Sequence, residues 1–282
     1  MTRRGRAGTA VALGVVAVLA CGGAEHGGAP AEALWLLDGV FLAPPPPGGG
    51  PLLLCGRFEV TRAEFQGRAL DLAEADLPAA FVSREDAAAW AAARGLRLPT
   101  LAEWRHCATV GSGLQRPLYP WGSFYRDGLA NTLELGLHRP LPVGVFEHDW
   151  TDYGRYDFLG NVWEWVADVP PAAPGARWRP PPGAGACGGS YTTSAQDATL
   201  QSVRPLEPGD RAEDIGFRVL APAPDWIEAQ IAPRWRSAPR AAAPWIRRAA
   251  ARWQPGLRRQ LAEELRQRGL EPELCALFAA DP

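Results

Sequence analysis

The chain has 282 residues, 47% of them apolar, enough for one large domain or two small ones with a substantial core. A formal charge of −2 leaves no basic footprint for nucleic acid. All 29 basic residues are Arg, which excludes Schiff-base and P-loop lysine chemistry, and the single Met is Met1, which removes thioether ligation of haem or copper.

Arg3, Arg4 and Arg6 precede an apolar run from Thr9 to Ala20. A charged region followed by so short a hydrophobic segment suits export rather than membrane spanning. The run ends Val18-Leu19-Ala20-Cys21-Gly22, which resembles a bacterial lipobox in which Cys21 is lipidated and becomes the first mature residue. The competing reading is an ordinary secretory signal that happens to contain a Cys. Residues 1–20 are therefore expected to be a lipoprotein signal peptide, and residues 21–33, rich in Gly and Ala, a flexible tether. The implied location is the bacterial cell envelope, lipid-anchored, at the outer membrane of a Gram-negative host. Such a compartment is oxidising. Cys55, Cys107, Cys187 and Cys275 allow three pairings there, and sequence does not choose among them.

Leu34 to Leu42 reads as a strand with a turn at Asp38-Gly39, and Leu52 to Val60 as the next strand. Thr61 with Glu64, Ser83 with Asp86 and Thr100 with Glu103 each have capping-box spacing, so three helices should begin there. Gly95 ends the second helix, and the third carries Trp104 and Cys107. Tyr119-Pro120-Trp121-Gly122 is a rigid aromatic turn. A strand is expected from Cys187 through Gly188-Gly189-Ser190-Tyr191, and a closing strand over Asp214 to Leu220.

Between these lies Tyr156-Asp157-Phe158-Leu159-Gly160-Asn161-Val162-Trp163-Glu164-Trp165. Gly160 and Asn161 tolerate left-handed backbone angles, so the stretch reads as an ordered turn. Its carboxylates and carbonyls suit a hard cation, and its Trp side chains suit the core.

Taken in order, Glu59-Val60-Thr61, Arg97-Leu98-Pro99-Thr100-Leu101-Ala102-Glu103-Trp104, Tyr119-Pro120-Trp121-Gly122, Gly160-Asn161-Val162-Trp163-Glu164-Trp165, Gly188-Gly189-Ser190 and Gly216-Phe217-Arg218 resemble the formylglycine-generating enzyme, or sulfatase-modifying factor, family. The resemblance covers residues 34–221. It implies an α+β fold, a variant of the C-type lectin fold rich in irregular structure. Members include sulfatase-activating copper enzymes, iron-dependent sulfoxide synthases, pyoverdine-type maturation factors and ligand-binding proteins, so the fold does not settle the function.

In the sulfatase-activating members, two copper-binding cysteines follow the Gly-Gly-Ser motif. The matching positions here are Thr193 and Ala198, so no copper is expected and no catalytic residue is assigned. Ser190, Arg204 and Asp214 match family active-site positions, Asp214 standing where the family usually has Asn. Cys187 replaces the Arg before Gly-Gly-Ser and is open to three readings: disulfide-paired, buried and inert, or reactive. Iron is not expected either: His26, His106, His138 and His148 show no spacing that puts two ligands on one helix face.

The resemblance also implies a structural calcium, held by the side chains of Asp157 and Glu164 and the carbonyls of Gly160 and Val162. The alternative is a hydrogen-bonded turn without metal. A second family calcium site would begin at Asn131 and the Thr132 carbonyl, but the run from Leu133 to Leu141 lacks the Asp that should complete it. Trp163 and Trp165 are expected in the core, with Trp121, Trp150 and Trp178 the better candidates for stacking on a ligand.

Residues 222–282 lie beyond the resemblance and form an Arg- and Trp-rich helical extension, with Leu257, Leu261 and Leu265 on one helix face. Packing back on the domain competes with docking to a partner or an anionic membrane. The whole points to a membrane-anchored lipoprotein that acts as a binding or accessory module for an envelope or secreted protein. The alternative is a metal-dependent oxidoreductase of the same superfamily with an unidentified site.

Overall fold

The computed structural model describes residues 30–67, 70–114, 116–146, 153–168 and 185–280. The signal peptide, Cys21, His26, His148, Trp150 and Trp178 fall outside them.

The first element is a helix, α1 (Pro30–Asp38), where a tether and then a strand were expected. Pro30 at the first helical position and the run Ala-Glu-Ala-Leu favour a helix start, and that local preference prevails over the apolar run. The strand is confined to β1 (Val40–Ala43), which pairs antiparallel with β2 (Leu53–Gly56). Short helices follow: α2 (Arg62–Gln66), α3 (Leu72–Ala75), α4 (Arg84–Ala92) and α5 (Leu101–Thr109). All three expected capping boxes form, at Thr61, Ser83 and Thr100. The third is reinforced by Arg97, which grips Glu103 through two hydrogen bonds of 2.7 and 2.6 Å.

A second sheet is built from β3 (Trp163–Trp165), β4 (Gly185–Cys187), β5 (Val203–Pro205) and β6 (Ile215–Gly216), in the order β5-β4-β3-β6. The family segment expected as a turn is thus a turn that runs into the central strand. The strand expected from Cys187 onward instead ends there, because Gly188 and Gly189 turn the backbone to φ 93° and 82°. The expected closing strand is also divided. Only β6 joins the second sheet, while β7 (Leu220–Pro222) pairs with β2 in the first, in the order β1-β2-β7. The chain from Phe217 to Val219 crosses between the sheets, and Arg218 lies at the crossing.

The extension packs onto the domain. It comprises α6 (Ala223–Trp226), a π-helical turn (Ile227–Ile231), α7 (Ala232–Ser237), α8 (Pro239–Ala250), α9 (Pro255–Gln267) and α10 (Pro272–Ala279). Ile246, Trp253, Leu261, Leu265 and Phe278 are buried in one core with Leu37, Leu42 and Trp165. Trp253 Nε1 donates to the Val40 carbonyl at 3.1 Å, and Trp226 Nε1 to the Arg94 carbonyl at 3.0 Å. These two Trp side chains face the domain, whereas Trp245 on α8 is exposed. No helix among the described residues is long and apolar enough to cross a membrane.

Candidate functional site

The Gly-Gly-Ser turn shapes one wall of a cleft of about 610 Å³. Tyr191 to Ser194 follow directly from it, Trp163 comes from β3, Arg204 from β5, and Glu213 and Asp214 from the segment entering β6. The sequence-matched trio assembles here. Ser190 Oγ donates to Asp214 Oδ2 at 2.8 Å, Thr192 Oγ1 donates to the same oxygen at 2.9 Å, and Arg204 Nη1 donates to Asp214 Oδ1 at 3.1 Å. Asp214 is thus saturated with donors and serves as a fixed acceptor for its neighbours rather than a free base.

Thr193 and Ala198 lie side by side across Gly189. A Cβ added to Gly189 would meet the Ala198 Cβ at 2.6 Å and the Thr193 Cβ at 3.6 Å. The two positions that hold the thiol pair in copper enzymes are therefore brought together, but their chemistry is mute. Thr193 Oγ1 accepts from the Ser190 backbone N–H at 3.0 Å and so serves the turn itself, and Ala198 is fully buried.

Five lining residues escaped the sequence reading: Tyr191, Thr192, Ser194, Asp197 and Glu213. Tyr191 and Thr192 sit immediately after the Gly-Gly-Ser motif and could have been found by proximity to it; Glu213 precedes Asp214. Trp163, expected in the core, has an edge on the cleft, whereas Trp165 is wholly buried and its Nε1 donates to the Val82 carbonyl at 2.9 Å. Trp121 does not offer a free face, because its ring stacks on Tyr119 at 5.6 Å with an interplanar angle of 8°.

Two of the four residues assigned to calcium, Glu164 and Asp157, contact the guanidinium of Arg218. Glu164 receives Arg218 Nε on Oε2 and Nη2 on Oε1, both at 2.6 Å, and Oε2 also accepts from Trp104 Nε1 at 2.7 Å. Arg218 in turn donates to the carbonyls of Gly56, Arg57, Tyr156 and Asp157, and its guanidinium lies 3.7 Å from the Phe158 ring centroid. A guanidinium in a ring of carbonyls and one carboxylate meets the same demand that calcium would. Both Glu164 oxygens are engaged, which favours the hydrogen-bonded reading of the segment. Asp157 instead accepts from the backbone N–H groups of Gly144 and Phe146. Gly160 is required for another reason: a Cβ there would lie 2.4 Å from the Asn131 carbonyl oxygen, to which Asn161 N–H donates.

Electrostatics agree with this arrangement. Glu59, Asp157 and Glu164 are all buried around the single guanidinium of Arg218. Burial first, then the neighbouring carboxylates, pushes Glu59 well above the usual carboxylate range. Asp157 rises to about 7, mainly through burial. Protons thus relieve the excess negative charge of the cluster.

Where a second family calcium site would begin, Asn131 is wholly buried, and its Oδ1 accepts no hydrogen bond from the described protein groups. His106 Nε2 contacts the Pro44 carbonyl at 2.9 Å and is structural. Among the described residues, no three His, Cys, Asp or Glu side chains converge as a metal site. Cys55, Cys107, Cys187 and Cys275 are buried as free thiols.

Residues 56–223 match the family model described as "Sulfatase-modifying factor enzyme 1-like domain". The chain belongs to this family. Its mixed α+β architecture is as the resemblance implied, and the C-terminal region is helical as its leucine spacing indicated. The chain is 33% identical over 165 residues to the inactive Cα-formylglycine-generating enzyme 2 of Bos taurus, covering 52% of this chain and 51% of that one. It is 36% identical over 104 residues to the formylglycine-generating enzyme of Mus musculus, covering 32% and 27%. The chain thus spans about half the length, or less, of these relatives. Among solved structures, Treponema denticola variable protein 1 superposes with a TM-score of 0.49 at 21% identity, over 61% of this chain and 84% of the other.

Proposed function

We propose that this protein is a binding or accessory module of the bacterial cell envelope, anchored through Cys21, whose formylglycine-generating-enzyme-like domain has exchanged copper chemistry for recognition. The observation that carries the reading is the pairing of Thr193 and Ala198 across Gly189. The scaffold that brings a thiol pair together is intact, and a hydroxyl and a methyl occupy it. Neither provides the soft sulfur ligand that selects Cu(I). The relative named as an inactive enzyme is consistent with the same loss. What remains is a cleft with a Trp edge, hydroxyls, an Arg and carboxylates, the mixture that orients a polar ligand.

The test is to offer the purified chain a Cys-containing sulfatase peptide with Cu(I) and oxygen and follow the peptide by mass. The expected result is an unchanged peptide. Conversion of the cysteine to an aldehyde would establish an enzyme instead. The anchoring half of the reading is tested by Cys21→Ser, which should release the protein from the membrane fraction; a variant that stays with the membrane overturns it.

A further inference from the structure

The C-terminal extension carries a charge pattern that the cleft does not use. Residues 234–259 hold eight Arg and no acidic residue, in a chain whose formal charge is −2. Helix α8 sorts this stretch by face. It buries Ala242, Ile246, Ala249 and Ala250 and packs against α1, α7 and α10. At 100° per residue, Arg240, Trp245, Arg247 and Arg248 fall on the opposite arc, and all four are exposed. Trp245 keeps 39% of its surface open, and the Arg248 guanidinium lies 5.1 Å from its ring centroid. Asp38 pairs with this face, but its one carboxylate is shared between Arg248 and Arg252. Arg240 and Arg247 pair with no carboxylate among the described residues. A surplus of positive charge therefore surrounds an open indole.

We propose that the outer face of α8 rests on an anionic lipid bilayer, with Arg240 and Arg247 meeting headgroup charge and Trp245 entering the interface. Guanidinium groups near such a surface are attracted by its negative potential, and an indole is at home where one side is apolar and the other wet. The choice of a bilayer over another partner rests on the Cys21 anchor proposed above. Helix α1 starts at Pro30, nine residues after Cys21. Nine residues reach at most about 30 Å, so a lipid on Cys21 keeps α1 close to the membrane. Because α1 packs directly on α8, the basic face is confined to the same layer. One acyl anchor holds marginally, and a basic patch supplies the second attraction. The face orients the protein rather than anchoring it. Salt weakens such a contact, so Cys21→Ser still releases the protein into a salt wash.

The experiment is cosedimentation with vesicles of the chain from residue 21 onward, which holds every described element, carrying Cys21→Ser so that no lipid is attached. Vesicles of phosphatidylcholine alone are compared with vesicles of equal parts phosphatidylcholine and phosphatidylglycerol. Binding is expected on the anionic vesicles, far less on the neutral ones, and should decline as salt rises. Arg240→Glu with Arg247→Glu should weaken anionic binding at least about tenfold. Both side chains are exposed, so the unfolding midpoint should not move. The same reversal at Arg126 and Arg139, exposed outside the extension, should leave binding nearly as it was. Brominated lipid should quench the emission of the parent more than that of Trp245→Phe. Equal binding to both vesicles, equal losses in the two double variants, or no binding to either vesicle would each overturn the proposal, the last leaving the face to an acidic protein. No lipid is attached in this assay, so failure here leaves the Cys21 anchor standing, and failure of the anchor leaves this result standing.

Discussion

Glu164 and Arg218 form a two-point ion pair with both contacts at 2.6 Å, and neither side chain is exposed beyond 1%. Glu164 comes from the central strand of one sheet, and Arg218 from the crossover that leaves that sheet for the other. The pair therefore ties the family's most distinctive segment to the last strand of the domain.

Glu164→Gln should cost about 3–5 kcal/mol in urea unfolding, because it leaves the guanidinium buried without a counter-charge. Arg218→Lys keeps the charge but loses the fork that reaches Glu164 and four carbonyls at once. It should still cost at least about 2 kcal/mol, since a single ammonium cannot serve so many acceptors. An Arg218→Lys protein within about 0.5 kcal/mol of the parent would show that charge alone matters here.

The buried carboxylates make stability depend on pH in an unusual direction. Asp157 titrates near 7 in the fold, against about 4 in an unfolded chain. Folding therefore takes up a proton in that window. The contribution of Asp157 is fully present below about pH 4 and is lost as pH rises to about 7. Glu59 shifts the same way. The carboxylates held low by partners, such as Glu103 and Asp86, change the balance only in more acid solution. The unfolding midpoint should fall between pH 5 and 8. Glu59→Gln should flatten that fall and stabilise the protein at pH 8 by on the order of 1–3 kcal/mol. A midpoint that climbs from pH 5 to 8 would contradict this account.

Thr193 and Ala198 are neighbours across Gly189, so Thr193→Cys combined with Ala198→Cys should recreate a two-thiolate site. The double variant is expected to take up one equivalent of Cu(I) in competition with a colorimetric chelator. The parent and each single variant should take up none. Equal uptake by the parent would mean that another site binds the metal.

Local signals were read well from the sequence. The capping boxes at Thr61, Ser83 and Thr100 depend on residues three apart, and they form as spaced. The turn at Gly188-Gly189 was read as strand, although both residues need backbone angles that few others adopt. What depends on distant partners was not legible. The spacing of Asp157, Gly160, Val162 and Glu164 suits a metal, and nothing local reveals that Arg218 arrives to engage Glu164 and the Asp157 carbonyl. The division of residues 214–220 between two sheets is likewise a tertiary outcome, since either half alone has strand character. The start of the chain misled for the opposite reason. An apolar run from Leu34 is compatible with strand or helix, and Pro30 with its Ala- and Glu-rich successors decided for the helix. In the cleft, Ser190, Arg204 and Asp214 were identifiable by match to the family and Tyr191 and Thr192 by adjacency to its Gly-Gly-Ser motif, whereas Ser194, Asp197 and Glu213 became visible only when the walls closed around them.

One consequence concerns the order in which the protein can assemble. Helix α1 lies against α8, and Asp38 at its end is held by Arg248 and Arg252. The first described element thus rests on one of the last, with Trp253 fastened to Val40 between them. A chain emerging from its N-terminus has to wait for more than two hundred further residues before α1 finds α8 and Asp38 finds Arg248 and Arg252. These long-range contacts are the slow kind, because the loop they close must be ordered first. Docking of α1 is thereby postponed until residues 248–253 are available, and until then its apolar side chains stay uncovered on that face.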